Sequence, residues 1–131
     1  NMSARGSGEK PSIVVLHSIN FEESWTKQTY LDIERKFGEE GFTVKAIPLQ
    51  IPGIRTMEGF QEKRTMILER VPVPPTLVVC IGDPSWLVAR PLFDKEWKDI
   101  PSIICYARDY MYPKEEYQIK TCSIRWFPSR T

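Results

Sequence analysis

No stretch of this sequence is apolar for long. The longest uninterrupted runs, Ile13 to Leu16 and Leu77 to Ile81, last only a few residues, against the roughly 18–20 that a membrane-spanning helix needs. Charge of one sign is also missing: 18 Lys and Arg stand against 17 Asp and Glu, so the chain lacks the basic excess that phosphate contacts favour, and nucleic acid is not an expected partner. Histidine occurs once, and Cys80, Cys105 and Cys122 show no C-x-x-C spacing, which argues against a zinc site or any other metal. Cys80 closes one Val/Leu/Ile run and Cys105 lies in another, the setting of free buried thiols. What the chain does have is a 41% hydrophobic share, with four Trp, five Tyr and six Phe in 131 residues. That is too rich for disorder and long enough for one domain with a real core.

The opening Asn1 to Gly8 has no apolar segment and reads as part of a disordered linker or tag over residues 1–10, leaving 11–131 as a single α/β lobe. A secreted protein can lose its signal peptide, so this opening does not decide compartment. Pro11 to Ser18 is a nearly continuous β-branched run, the pattern of a strand buried on both faces. Ser24 is suited to cap a helix on which Tyr30, Ile33 and Phe37 share a face, with Trp25 at its start and Gly38 or Gly41 at its end. Phe42 to Ile47 alternates as a strand nearer an edge. Leu49 to Arg55 carries Pro52-Gly53 and reads as a loop, after which Thr56 caps a helix bearing Phe60, Ile67 and Leu68. The prolines at 72, 74 and 75 deliver the chain extended into the strand Thr76 to Ile81. Asp83 then suits an N-cap and Pro84 the first helical position of a short helix that Pro91 kinks or splits. Ile100 to Ala107 gives a fourth strand, and Cys122 to Phe127 a last one after a weakly patterned stretch.

Strands alternating with helices at this spacing specify βαβ units with right-handed crossovers. The predicted fold is a three-layer α/β/α sandwich, a doubly wound, Rossmann-like parallel sheet with strand order near 2-1-3-4. Ligands of such sheets bind beyond the carboxyl ends of the strands where the winding reverses. That rule gathers His17, Ser18, Ile19, Asn20, Gly82 and Asp83 around one crevice.

Catalytic signatures are missing from that crevice. The first strand runs into His17-Ser18-Ile19-Asn20 without the glycines of a dinucleotide or phosphate loop. His17 and Ser18 are neighbours on a strand and point to opposite faces, so adjacency does not make them a base and nucleophile. No G-x-S-x-G elbow occurs. A lone His at a strand end reads as a hydrogen-bonded structural residue. The expectation is a non-catalytic domain with no cofactor. Flavin has only Trp and Tyr stacking in its favour, and lack of yellow colour in purified protein would dispose of it.

The run Ile13-Val14-Val15-Leu16-His17-Ser18, then Trp25-Thr26, then Leu77-Val78-Val79-Cys80-Ile81-Gly82-Asp83 and Ile100-Pro101-Ser102-Ile103-Ile104 resembles the first lobe of periplasmic-binding-protein-like sensor domains. These are the extracytoplasmic, periplasmic regions of bacterial hybrid two-component histidine kinases, related to the solute-binding proteins of ABC transporters. The resemblance covers about residues 12–107. It implies a ligand-sensing module for signal transduction, in which two α/β lobes clamp a small molecule in an interlobe cleft. It further implies that Ser18, Asn20, Trp25 and Asp83 border the cleft, that a second lobe or a homodimer partner completes it, and that this segment does not itself insert in a membrane. Because the chain stops at Thr131, about where a second lobe would begin, the expectation is a piece of a larger inner-membrane receptor. Two other readings stand beside it: a transporter's solute-binding component, and an interaction module that dimerises through Tyr106, Tyr110, Met111 and Tyr112.

Overall fold

Unbroken apolar runs can be satisfied only where both faces of a strand are covered, and in this chain they occupy the middle of the sheet. The computed structural model describes residues 10–19, 24–105, 118–119 and 124–127. In chain order these form β1 (Ser12–His17), α1 (Ser24–Glu39), β2 (Thr43–Pro48), α2 (Met57–Arg70), β3 (Leu77–Ile81), α3 (Asp83–Ala89), a 3-10 helix (Arg90–Asp94), β4 (Ser102–Cys105), β5 (Gln118–Ile119) and β6 (Ile124–Phe127). The sheet order is β2-β1-β3-β4-β6-β5. The first four strands are parallel, with Val14 opposite Lys45 and Val78, and Val79 opposite Ile103. The 2-1-3-4 arrangement and the α/β Rossmann-like fold are therefore as the sequence predicts.

The sheet is not wholly parallel. β6 pairs antiparallel with β4, and β5 with β6, since an added antiparallel edge needs no crossover helix. Strand alternation sends Val14, Leu16, Val78 and Cys80 to one face, under Ile67 of α2 and Trp86 of α3. Ile13, Val15, Val79 and Ile81 go to the other, under Tyr30, Ile33 and Phe37 of α1. This is the predicted sandwich, built from period-two strands meeting period-3.6 helices.

Local chemistry sets the helix ends. Thr56 caps α2, its hydroxyl accepting from the Gly59 N–H at 3.0 Å. At the end of α1, Gly41 takes a φ of +90°, which only glycine adopts at little cost. Its N–H reaches the Gly38 carbonyl, and the next N–H, from Phe42, reaches Phe37 at 3.0 Å. This closes a Schellman motif whose hydrophobic contact is the edge-on pair Phe37–Phe42, with ring centroids 5.6 Å apart. Pro91 splits the short helix as expected, handing α3 over to the 3-10 helix. Aromatic side chains pack around that turn, Trp86 tilted against Phe93 with centroids 5.4 Å apart and Phe93 edge-on to Trp97 at 5.5 Å.

One sequence expectation is overturned here. Asp83 is not the cap of α3 but its first residue, and the N-cap is Gly82, which has no side chain to offer. The capping acceptor comes from 67 residues away, where the Ser18 hydroxyl accepts the Ser85 N–H at 2.9 Å. The same hydroxyl donates to the Ile81 carbonyl at 2.9 Å, and Ser18 thereby ties the end of β1 to the β3–α3 corner.

Candidate functional site

Past their last paired residues, β1 and β2 keep holding one another. Leu49 N–H donates to the His17 carbonyl at 2.8 Å, Gln50 N–H to Ile19 at 3.1 Å and Ile51 N–H to Ser18 at 2.8 Å. This carries the β2–α2 segment over the carboxyl end of β1, where the turn at Pro52-Gly53 folds it back and Ile54 N–H closes on the Ile51 carbonyl at 2.9 Å. Ile54 then seats on the first turn of α2: a β-carbon on Gly59 would come within 2.4 Å of the Ile54 methyl Cγ2. A glycine is required at 59 by this contact, although it weakens the helix there.

The result is a cavity of about 430 Å³ at the switch point between β1 and β3. Its floor is His17, Ser18, Ile19, Ile81 and Gly82; one wall is Ile51 to Arg55 with Phe60, and the other is Pro84 and Leu87 of α3. Gly82 makes the corner possible. Its φ of +91° with ψ of 145° is a conformation essentially restricted to glycine, and a β-carbon there would lie 2.6 Å from the Ser18 hydroxyl.

The Ser18 hydroxyl and the His17 Nδ1, both on the floor, are turned to structure. Ser18 uses its hydroxyl both as donor to Ile81 and as acceptor from Ser85. His17 is buried, and its Nδ1 accepts the Ile19 N–H at 2.8 Å. The two described cysteines lie in the sheet, not on the cavity wall. Burial pushes the Cys105 thiol up to about 11 and the Cys80 thiol higher still, so both are protonated, weakly nucleophilic thiols at neutral pH. Among the described residues no three His, Cys, Asp or Glu side chains group as a metal site, and no helix is long and apolar enough to cross a membrane.

Of the residues expected at the crevice, Ser18 lines the cavity, beside His17, Ile19 and Gly82. Asp83 is buried with 3% of its surface exposed, at the start of α3 and off the cavity wall. Asn20 lies outside the described residues, as do Tyr106, Tyr110, Met111 and Tyr112; for Trp25 only the backbone, in the first turn of α1, is described. Ile51, Ile54, Arg55, Phe60 and Leu87 were not expected at the site. The signal for the first two was available, because order 2-1-3 brings the loop after the second strand to the same end of the sheet, and two isoleucines flanking a Pro-Gly turn need a surface to cover. No protein-family model matches the chain, and neither a curated protein nor a solved structure matches it.

Proposed function

We propose that this chain is a non-catalytic, ligand-sensing lobe from the extracytoplasmic, periplasmic part of a two-component sensor histidine kinase. The observation that carries the reading is the cavity of about 430 Å³ at the switch point. Its size falls in the ordinary range of small-molecule sites, and its position is where open α/β sheets take ligands. Its mouth supports a covering surface: Ile19 and Leu87 are among the exposed large apolar side chains, at 37% and 42%, and both line the opening. In this reading a small solute rests on the wall described here and is enclosed by a second α/β lobe. Solute bridging both walls favours the closed pair over the open one, and that shift in population is what a kinase across the membrane would read.

The test is calorimetry on two proteins, this chain and the complete extracytoplasmic region of its receptor, against a panel of small solutes. One wall buries only part of a ligand, so the chain alone should bind weakly, the complete region should bind in the micromolar range or tighter, and Leu87→Asp should weaken both. Micromolar binding by the chain alone, or tight binding by the complete region that ignores Leu87→Asp, would overturn the assignment.

A further inference from the structure

The chemistry of the cavity wall narrows what it can hold. The walls are hydrocarbon: Ile51 and Ile54 on one side, Leu87 on the other, Phe60 between. A polyol in this space would give up water for few side-chain partners, because the Ser18 hydroxyl is engaged at both its donor and its acceptor side and the His17 Nδ1 by the Ile19 N–H. Among the described residues no carboxylate lines the cavity, so this lining offers a cationic ligand no countercharge. Among the described residues Arg55 is the one formally charged side chain of the lining, and it has no ion-pair partner there. It sits directly after the loop that carries Ile51 and Ile54, exposed at the surface while the isoleucines lie deeper.

We infer that the ligand is an amphiphilic monoanion, an apolar body with a single carboxylate, whose hydrocarbon fills the Ile54–Phe60–Leu87 space while the carboxylate meets the Arg55 guanidinium at the mouth. The inference rests on the cavity being a ligand site, as proposed above. Guanidinium suits this task, since its planar fork matches a carboxylate with two parallel hydrogen bonds and stays charged at any physiological pH.

Three probes that share one apolar body separate the charge class from the site itself: 4-phenylbutanoate, 4-phenylbutanamide and 4-phenylbutylammonium. Each is titrated into the full 131-residue chain with its Ile and Leu methyl groups labelled, following the NMR shifts of Ile54 and Leu87. The butanoate should bind roughly fivefold more tightly than the amide, the size expected for a charge-assisted contact at an exposed arginine, and the ammonium should bind most weakly. In Arg55→Gln the butanoate should fall to the affinity of the amide, while the amide is unchanged. Equal affinities in the wild type, or a carboxylate advantage that survives Arg55→Gln, would overturn the anion class yet leave the cavity as a ligand site. No shift at Ile54 or Leu87 with any of the three would overturn both.

Discussion

On one face of the sheet, α3, the 3-10 helix and the turn after it lay Trp86, Phe93 and Trp97, beside α2, over Val14, Leu16, Val78 and Cys80. On the other, α1 is the helix that covers Ile13, Val15, Val79 and Ile81, through Tyr30, Ile33 and Phe37, each only partly buried. Among the described residues sixteen are buried on the first side and five on the second, so most of the apolar burial they account for lies on the α2/α3 side. Two of the cavity's walling side chains, Phe60 and Leu87, belong to that thicker layer. Phe60 packs against the buried side chains of that layer, while Leu87 stays 42% exposed at the cavity mouth. The Arg64 guanidinium of α2 also donates to the Val88 carbonyl of α3 at 3.2 Å, tying the two walls to each other.

The comparison breaks most directly through its largest side chains. Trp97 is 1% exposed and meets the Phe93 ring edge-on, so Trp97→Ala should cost about 3–5 kcal/mol by urea denaturation. Phe37→Ala, which opens the partly covered face, should cost about 2 kcal/mol. Equal losses would mean that the two layers contribute alike and that the unequal filling has no energetic meaning.

The next largest effect is at the β3–α3 corner. Gly82→Ala forces a side chain into a glycine conformation and against Ser18, and should cost about 3 kcal/mol. Ser18→Ala removes the acceptor of the Ser85 N–H and should cost about 1–2 kcal/mol. Because the new β-carbon clashes chiefly with the hydroxyl that Ser18→Ala deletes, the double variant should lose less than the sum of the two. Strict additivity in thermal or urea melts would refute that contact.

This corner also marks how far the sequence could be read. β1 and β3 are legible because an unbroken β-branched run has few other uses, and Thr56 and Gly41 act within their own turns, so local pattern finds them. Asp83 misleads for the same reason: next to Pro84 it has the local pattern of a cap, whereas the acceptor that caps α3 belongs to Ser18, and nothing near Ser85 in the chain announces it. The cavity wall is half legible. The strand ends follow from topology, but Phe60 and Leu87 look like ordinary helix-face residues until the α2 and α3 faces are set opposite one another.

The smallest expected effect sharpens the comparison through the two thiols, since Cys80 belongs to the thicker core and Cys105 to the thinner. Burial raises Cys105 from the ordinary 9.0 to about 11 and raises Cys80 further. In the unfolded chain both ionise near 9, so below that pH folded and unfolded states hold the same protons and stability is flat. Above it the unfolded state releases protons that the folded state keeps, and stability falls as pH rises. For Cys105 that fall runs from about 9 to its folded value near 11; for Cys80 it continues higher. Between pH 7 and pH 10 each buried thiol should contribute a loss of about 1 kcal/mol, measured by urea denaturation in a Cys122→Ser background. Cys105→Ala and Cys80→Ala should each remove one such share of the pH dependence. With a thiol-reactive disulfide reagent at pH 8, Cys105, on the α1 face and 5% exposed, should react before Cys80, which is fully buried. The reverse order would mean that the aromatic layer opens first, and that the face bearing the cavity walls is the less stable of the two.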